Sequence, residues 1–109
     1  MVDRAQLLKG LLEGCILKTI SNEETYGYKI TEDLNNIGFN WVNEGTIYPI
    51  LMRLEKKMFI CSVKKSSNLG PKRKYFYITE SGSLFLKSFT ETWDETSTIV
   101  NTVLKGGKL

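Results

Sequence analysis

Residues 59–79, Phe-Ile-Cys-Ser-Val-Lys-Lys-Ser-Ser-Asn-Leu-Gly-Pro-Lys-Arg-Lys-Tyr-Phe-Tyr-Ile-Thr, decide the fold of this chain. Both ends of this stretch, residues 59–64 and 74–79, are rich in aromatic and β-branched residues, which favour β-strands. The residues between them, 65–73, contain Asn, Gly and Pro, which interrupt strands and form loops. The stretch therefore predicts a β-hairpin with a flexible basic loop at its tip.

Two helices are predicted at the beginning of the chain. Residues 4–20 carry apolar residues at spacings of three and four, on more than one face, which is typical of a helix that meets two surfaces. Residues 25–37 form the second predicted helix, with Gly38 at its C-terminal cap. Its apolar face consists of Tyr26, Ile30, Leu34 and Ile37.

A third helix is predicted over residues 43–57, immediately before the hairpin. Asn43 is a suitable N-cap, and the inward-facing stripe consists of Ile47, Ile50, Leu51 and Leu54. Pro49 conflicts with a regular helix that begins at Asn43, because proline cannot donate a hydrogen bond to the carbonyl of Gly45. Either the first turn is distorted or the regular helix begins later.

A last helix is predicted over residues 80–105, with Thr79 as its N-cap. Its apolar residues follow a heptad-like pattern with one polar member: Leu86, Phe89, Trp93, Thr96, Val100 and Val103. The order of elements is three helices, a hairpin and a helix, so the fold class is mainly α with a small β-hairpin. We predict a winged helix-turn-helix domain over residues 1–79 and a C-terminal dimerisation helix over residues 80–109.

The basic residues of this chain of 109 residues are concentrated in one segment. Residues 56–79 hold seven Lys and Arg and no Asp or Glu, whereas acidic residues outnumber basic ones in the rest of the chain. Such a segment is either a solvated hairpin or a surface for a polyanion. In a winged helix the third helix enters the DNA major groove and the wing contacts phosphates. Charge and element order therefore both favour nucleic acid.

Composition argues against several other classes of function. The chain has no His, and it contains no nucleotide-binding or nucleophile motif, so we predict that it is not an enzyme and needs no cofactor or metal. Cys15 and Cys61 lack metal-ligand spacing and are expected to be buried thiols, with a disulfide or redox role as the alternative. The chain shows neither a secretory signal nor an apolar run that could span a membrane, which predicts a cytoplasmic location.

Three sequence motifs resemble those of the PadR-type transcriptional regulators, and the likeness covers nearly the whole chain. The motifs are Tyr-Gly-Tyr-Lys-Ile at 26–30, Glu-Gly-Thr-Ile-Tyr-Pro-Ile-Leu-Met-Arg-Leu-Glu at 44–55 and Gly-Pro-Lys-Arg-Lys-Tyr-Phe-Tyr-Ile-Thr-Glu-Ser-Gly at 70–82. The resemblance implies tolerance of Pro49 and a homodimer held by the C-terminal helix against the partner's N-terminal region. It also implies an inverted-repeat operator in double-stranded DNA, repression, and release by a small aromatic effector. The chain resembles the short form with a single C-terminal helix.

The candidate DNA-binding residues lie near the starts of the second and third helices and on the hairpin. They are Tyr28, Lys29, Thr46, Tyr48, Arg53, Lys64, Lys65, Lys72 and Arg73. Thr46 has an alternative role as a capping hydroxyl, Tyr48 as a core residue, and Arg53 as the partner of a carboxylate on another helix. Lys72 and Arg73, at the predicted tip, are the favoured wing contacts, while the third helix reads the bases.

The predicted dimer interface consists of Leu8, Leu12, Leu86, Phe89, Trp93, Val100 and Val103. Trp93 is most simply interpreted as dimer core, but the resemblance also makes it a candidate to stack a flat aromatic ligand, with Phe89 and Asp94 beside it. Asp94 is either the partner of a cationic ligand or a solvated residue. A different class of function remains as the alternative: a winged-helix module that binds protein and not DNA.

Overall fold

The computed structural model describes residues 2–67 and 70–107. Within these ranges the elements are α1 (Arg4–Leu7), α2 (Leu11–Asn22), β1 (Thr25–Tyr26), α3 (Gly27–Ile37), α4 (Glu44–Lys56), β2 (Ile60–Ser67), β3 (Gly70–Ile78) and α5 (Glu80–Leu104). The predicted fold class, a mainly helical winged helix followed by a C-terminal helix, is confirmed. The hairpin is part of a three-stranded antiparallel sheet with the order β1-β3-β2.

The single N-terminal helix predicted over residues 4–20 is wrong, because the structure has two helices there. Gly10 adopts a φ of 90°, a left-handed conformation that glycine accepts readily and that interrupts the helix. The carboxylate of Asp3 caps α1 by accepting a hydrogen bond from the amide of Ala5 at 3.0 Å. The apolar spacing continues across the break, so it could not reveal the break.

The second helix begins two residues later than predicted. Thr25 and Tyr26 form β1, which pairs with β3 so that Thr25 lies opposite Phe76 and Tyr26 opposite Tyr75. The prediction that Gly38 ends this helix is confirmed, with a φ of 148°. Of the predicted apolar face, Ile30 and Leu34 are buried, whereas Ile37 is exposed.

The third helix, α4, is continuous through Pro49. Asn43 caps it as predicted, because its side-chain oxygen accepts a hydrogen bond from the amide of Thr46 at 3.1 Å. The predicted inward stripe is buried: Ile47, Ile50, Leu51 and Leu54. Pro49 and Arg53 are exposed on another face of the helix. The helix begins at Glu44 and includes Pro49, so the missing donor of Pro49 does not delay its start.

The strands of the wing are longer than predicted. Lys65 pairs with Arg73 and Ser67 with Gly70, so Lys72 and Arg73 belong to β3 and not to a loop. Residues 68 and 69, in the middle of the predicted loop 65–73, lie outside the described residues.

Side chains alternate between the two faces of the wing. The core face carries Ser62, Lys64, Lys74 and the buried Ile60 and Phe76, whereas the tyrosine face carries Cys61, Val63, Lys65, Arg73, Tyr75 and Tyr77. Cys61 is exposed, contrary to prediction, while Cys15 is half-buried and burial raises the pKa of its thiol.

Helix α5 packs on α2 near its start, and its later turns are largely exposed. Thr79 caps it as predicted, accepting a hydrogen bond from the amide of Gly82 at 3.0 Å. The ring of Phe89 lies so close to Gly14 of α2 that a Cβ at Gly14 would overlap it. Further along, α5 exposes Trp93, Val100 and Val103. Neither α5 nor any other helix in the described ranges combines the length and hydropathy of a membrane-spanning segment.

Candidate nucleic-acid interface

A cleft of about 620 Å³ separates the starts of α3 and α4 from the outer part of β3. It is lined by residues 26–28, by Tyr48 of α4, and by residues 70–74 and Phe76 of β3. Basic and aromatic side chains therefore meet in the angle between the third helix and the wing. This is the surface of a winged helix that would meet a DNA duplex.

Tyr48 projects into this cleft across Gly27. A Cβ at Gly27 would lie 2.9 Å from the hydroxyl oxygen of Tyr48, so the close approach depends on glycine. Tyr48 is 47% exposed and Tyr28 is also exposed. The alternative that Tyr48 is a core residue is therefore wrong, and both phenolic hydroxyls can reach a ligand in the cleft.

The first turn of α3 opens into the cleft without a side-chain cap. Its N-cap residue is Tyr26, whose side chain makes no capping hydrogen bond, and its first two residues line the cleft. The amide groups of a helix N-terminus carry a partial positive charge when no acceptor is bound to them. This end of α3 therefore adds to the positive character of the site.

Arg73 is held over an aromatic platform at the edge of the cleft. Its guanidinium lies 4.0 Å from the ring centroid of Tyr26, which in turn contacts the ring of Tyr75 edge-on at 5.5 Å. Stacking orders the guanidinium while its edge stays available for hydrogen bonds to a phosphate. The side chain is therefore positioned before any ligand binds.

Several other basic residues of the segment 56–79 are neutralised by carboxylates. Lys57 pairs with Glu13 at 3.1 Å, Lys65 with Glu24 at 2.8 Å and Lys74 with Glu55 at 3.0 Å. Lys56, Lys64, Lys72 and Arg73 take no part in the ion pairs of the described residues. Among the described residues, the cations that line the cleft without a carboxylate partner are thus Lys72 and Arg73.

Lys29 is also engaged within the protein. Its ammonium group lies 2.8 Å from Glu23 and 3.1 Å from Asp33. Hydrogen bonds to Glu23 and then to Asp33 raise the pKa of Lys29 to about 12. These bonds use two of the three donors of the Lys29 ammonium, so a phosphate would compete with carboxylates that are already bound to it.

The cleft brings together four of the candidate DNA-binding residues: Tyr28, Tyr48, Lys72 and Arg73. The others do not line it. The hydroxyl of Thr46 caps no amide itself but donates a hydrogen bond to the capping oxygen of Asn43 at 3.3 Å. Arg53 is exposed on α4 and forms none of the ion pairs found between described residues, so the predicted competing carboxylate is not seen there.

Sequence reasoning missed two carboxylates that fasten the wing. Glu55 accepts hydrogen bonds from the hydroxyl of Ser62 at 2.6 Å and from Lys74 at 3.0 Å, and these two bonds lower its pKa. On the opposite face, Glu24 accepts hydrogen bonds from Lys65 and from the hydroxyl of Tyr77, which lower its pKa as well. Glu55 directly precedes the basic segment, which has no acids of its own, whereas Glu24 lies far from that segment along the chain and nothing in the sequence indicates its pairing.

A second cavity, an apolar groove of about 530 Å³, runs between α5 and the N-terminal helices. Leu8, Phe89, Trp93 and Val100 line it, together with Leu7, Leu11 and polar residues of α5. Asp94 does not line it, which contradicts the predicted ligand pocket of Phe89, Trp93 and Asp94.

Two of the residues predicted for the dimer interface belong to the domain itself. Leu12 is 8% exposed and part of the core, so it offers a partner almost no surface. Leu86 is half-buried and packs against that core. Val103 is exposed on α5 but does not line the groove.

Comparison with known proteins identifies the family. Residues 16–88 match the PadR-like family of transcriptional regulators. A PadR-like transcriptional regulator from Bacillus cereus shares 52% identity over 91% of this chain and 96% of its own, with a TM-score of 0.81. A Streptococcus transcriptional regulator shares 42% identity over 90% and 96%, also with a TM-score of 0.81. An uncharacterised protein from Lysinibacillus sphaericus is 32% identical over 94% of this chain and 96% of its own. The chain thus belongs to the PadR-like family and is a transcriptional regulator rather than an enzyme.

Proposed function

We propose that this protein binds DNA sequence-specifically as a homodimer and represses transcription until a small aromatic effector releases it. The observation that carries the proposal is the cleft that Tyr48 of α4 lines together with Lys72 and Arg73 of the wing. In this arrangement α4 enters the major groove while the wing reaches the neighbouring phosphates. Residues 1–79 then act as the DNA-binding unit, and residues 80–109 as the dimerisation helix.

The residues of the interface divide into two groups by their chemistry. Tyr48 and Arg53 are exposed on α4 and Thr46 is half-buried in its first turn, so two hydroxyls and a guanidinium are available there for base edges and phosphates. Tyr28 and the uncapped start of α3 approach the backbone beside them. The second group consists of wing cations that form no ion pair with a carboxylate of the described residues: Lys64, Lys72 and Arg73. Their contribution is independent of sequence, so α4 determines the operator.

The direct test is a DNA-binding titration of the purified protein. A labelled duplex from the region upstream of its own gene is compared with a scrambled duplex, by fluorescence anisotropy at several KCl concentrations. We expect tighter binding to the upstream duplex, two chains per site, and an association constant that falls steeply with salt. Failure to bind either duplex would instead support a module that recognises protein.

The apolar groove and the exposed part of α5 support the proposed dimer. Trp93 is 44% exposed, and Val100 and Val103 leave further apolar surface open along the same helix. Exposed apolar surface of this kind marks an interaction site. In a two-fold dimer each α5 would cover the other chain's groove, because the same patch serves both copies.

Trp93→Ala is expected to raise the dimer dissociation constant about 30-fold, because a central tryptophan contributes on the order of 2 kcal/mol to an interface. Sedimentation velocity over a range of concentrations measures this constant. Asp94→Asn is the matched control, since Asp94 is adjacent in sequence but does not line the groove. An unchanged sedimentation profile for Trp93→Ala would refute the role of this tryptophan in dimerisation.

The proposed effector site lies in this groove at the interface between the two chains, because Phe89 and Trp93 offer aromatic faces inside an apolar cavity. We expect planar aromatic dyes to quench the fluorescence of Trp93 and to weaken DNA binding in the same concentration range. The titration is made in Trp41→Phe, which leaves Trp93 as the single tryptophan. No change across a broad panel of aromatic compounds would argue for a regulator without such an effector.

A further inference from the structure

Glu24 reaches across the tyrosine face of the wing and holds Lys65. One carboxylate oxygen of Glu24 accepts hydrogen bonds from the ammonium of Lys65 and from the hydroxyl of Tyr77, both at 2.8 Å. The same ammonium lies over the rings of Tyr75 and Tyr77, at 5.4 and 5.5 Å from their centroids. Lys65 is therefore fixed on this face by one ion pair and two aromatic rings.

Lys65 and Arg73 occupy equivalent positions but differ in their surroundings. They are directly opposite each other on β2 and β3, so their side chains lie on the same face. Arg73 rests on Tyr26 at the cleft and is absent from the ion pairs of the described residues, whereas the charge of Lys65 is balanced by Glu24. Arg73 is therefore available to an external anion, whereas Lys65 already has Glu24 as its counter-ion.

We propose that Glu24 determines specificity by keeping Lys65 out of contact with DNA phosphates, and this inference rests on the DNA binding proposed above. Binding that ignores sequence depends on how many phosphates the protein neutralises, because each contact releases counterions. A lysine that must exchange a carboxylate for a phosphate gains little net electrostatic energy. Glu24 thus weakens the binding of the wing to DNA of any sequence and leaves the contacts of α4 unchanged. The ratio of the affinity for the operator to the affinity for other sequences therefore increases.

The exposure of the pair argues against a mainly structural role. The side chains of Lys65 and Glu24 are 44% and 45% exposed, and exposed ion pairs contribute little to stability. Glu24→Gln keeps an oxygen that can accept the hydrogen bonds of Tyr77 and Lys65 but removes the negative charge. This variant is therefore expected to fold and to differ from the original protein in electrostatics alone.

Four proteins form the test: the original chain, Glu24→Gln, Lys65→Gln and the double variant. Their affinities for a random-sequence duplex and for an operator selected by the original protein from a random pool are measured between 50 and 300 mM KCl. Lys65→Gln should leave the salt dependence unchanged as long as Glu24 is present. Glu24→Gln should increase the magnitude of the slope of log association constant against log salt concentration by about one. It should also tighten binding to the random duplex roughly five- to tenfold at 100 mM salt. The double variant should return to the original behaviour.

Glu95→Gln on α5 is the control for net charge, because it removes the same charge from an exposed residue of another element. If it tightens random binding as much as Glu24→Gln does, the effect is one of total charge and the inference is wrong. The inference would also be overturned if Lys65→Gln reduced the salt dependence equally in the original chain and in Glu24→Gln. Lys65 would then contact phosphate even when Glu24 is present. If the original protein binds neither duplex, the proposed function itself fails, and the inference with it.

Discussion

Arg73→Ala is expected to weaken binding to the operator by about 10- to 100-fold and to lower its salt dependence by about one unit. The guanidinium already lies over Tyr26 at the cleft, so little entropy is lost when it binds a phosphate. A hydrogen bond between charged groups contributes roughly 1.5–3 kcal/mol, which corresponds to this range of affinity. Binding to a scrambled duplex should weaken by a similar factor, because a phosphate contact carries no sequence information.

The measurement is fluorescence anisotropy with both duplexes at several salt concentrations. Arg4→Ala, which removes the same charge from α1, serves as the control and should change the salt dependence little. Arg73→Lys should lie between the original protein and Arg73→Ala, since lysine keeps the charge but not the planar stacking group. Equal losses for Arg4→Ala and Arg73→Ala would show that the wing makes no particular contact at this position.

Gly82→Ala is expected to destabilise the fold by about 3 kcal/mol, because the new Cβ would overlap the carbonyl oxygen of Phe59. The surrounding backbone cannot move away easily. The amide of Thr79 donates to that same carbonyl at 3.0 Å, and the hydroxyls of Thr79 and Ser81 both donate to the carbonyl of Met58. The start of α5 is therefore fixed to the turn between α4 and the wing by three hydrogen bonds.

Thermal unfolding at a fixed protein concentration measures this effect, since a dimer's stability varies with concentration. For a domain of this size the midpoint should fall by more than about 10 °C. Ser83→Ala, on an exposed position of the same helical turn, should shift the midpoint by only a few degrees. A similarly small shift for Gly82→Ala would mean that α5 can move away from Phe59 without loss of packing.

Periodicity predicted most of the fold, and it failed where a feature is short or depends on a distant residue. The buried stripe of α4 and the cap at Asn43 follow from local patterns, and both are present. β1 has only two residues, and its partners lie in β3, far along the chain. Nothing near Thr25 distinguishes it from the first turn of a helix. Gly10 likewise interrupts a pattern whose apolar spacing continues on both sides.

The candidate site was predicted less well than the fold, because counting charges does not show which of them are already paired. Lys65 and Glu24 are 41 positions apart, and Lys74 and Glu55 are 19 apart, so only the folded chain brings them together. The prediction that Asp94 belongs to the ligand pocket was wrong for a simpler reason. It follows Trp93 in sequence, but consecutive residues of a helix do not point in the same direction. Tyr28 and Tyr48, by contrast, were located by the family motifs.

The pairing of β1 with β3 has a consequence for the order in which the molecule folds. The wing is a hairpin between adjacent segments, so it can close quickly, whereas β1 must find a strand from a remote part of the chain. Tyr26 in β1 supports the guanidinium of Arg73 at the cleft. We therefore expect the cleft to be completed in a late step of folding. A transient opening of β1 would then remove that support while the helical core stays intact.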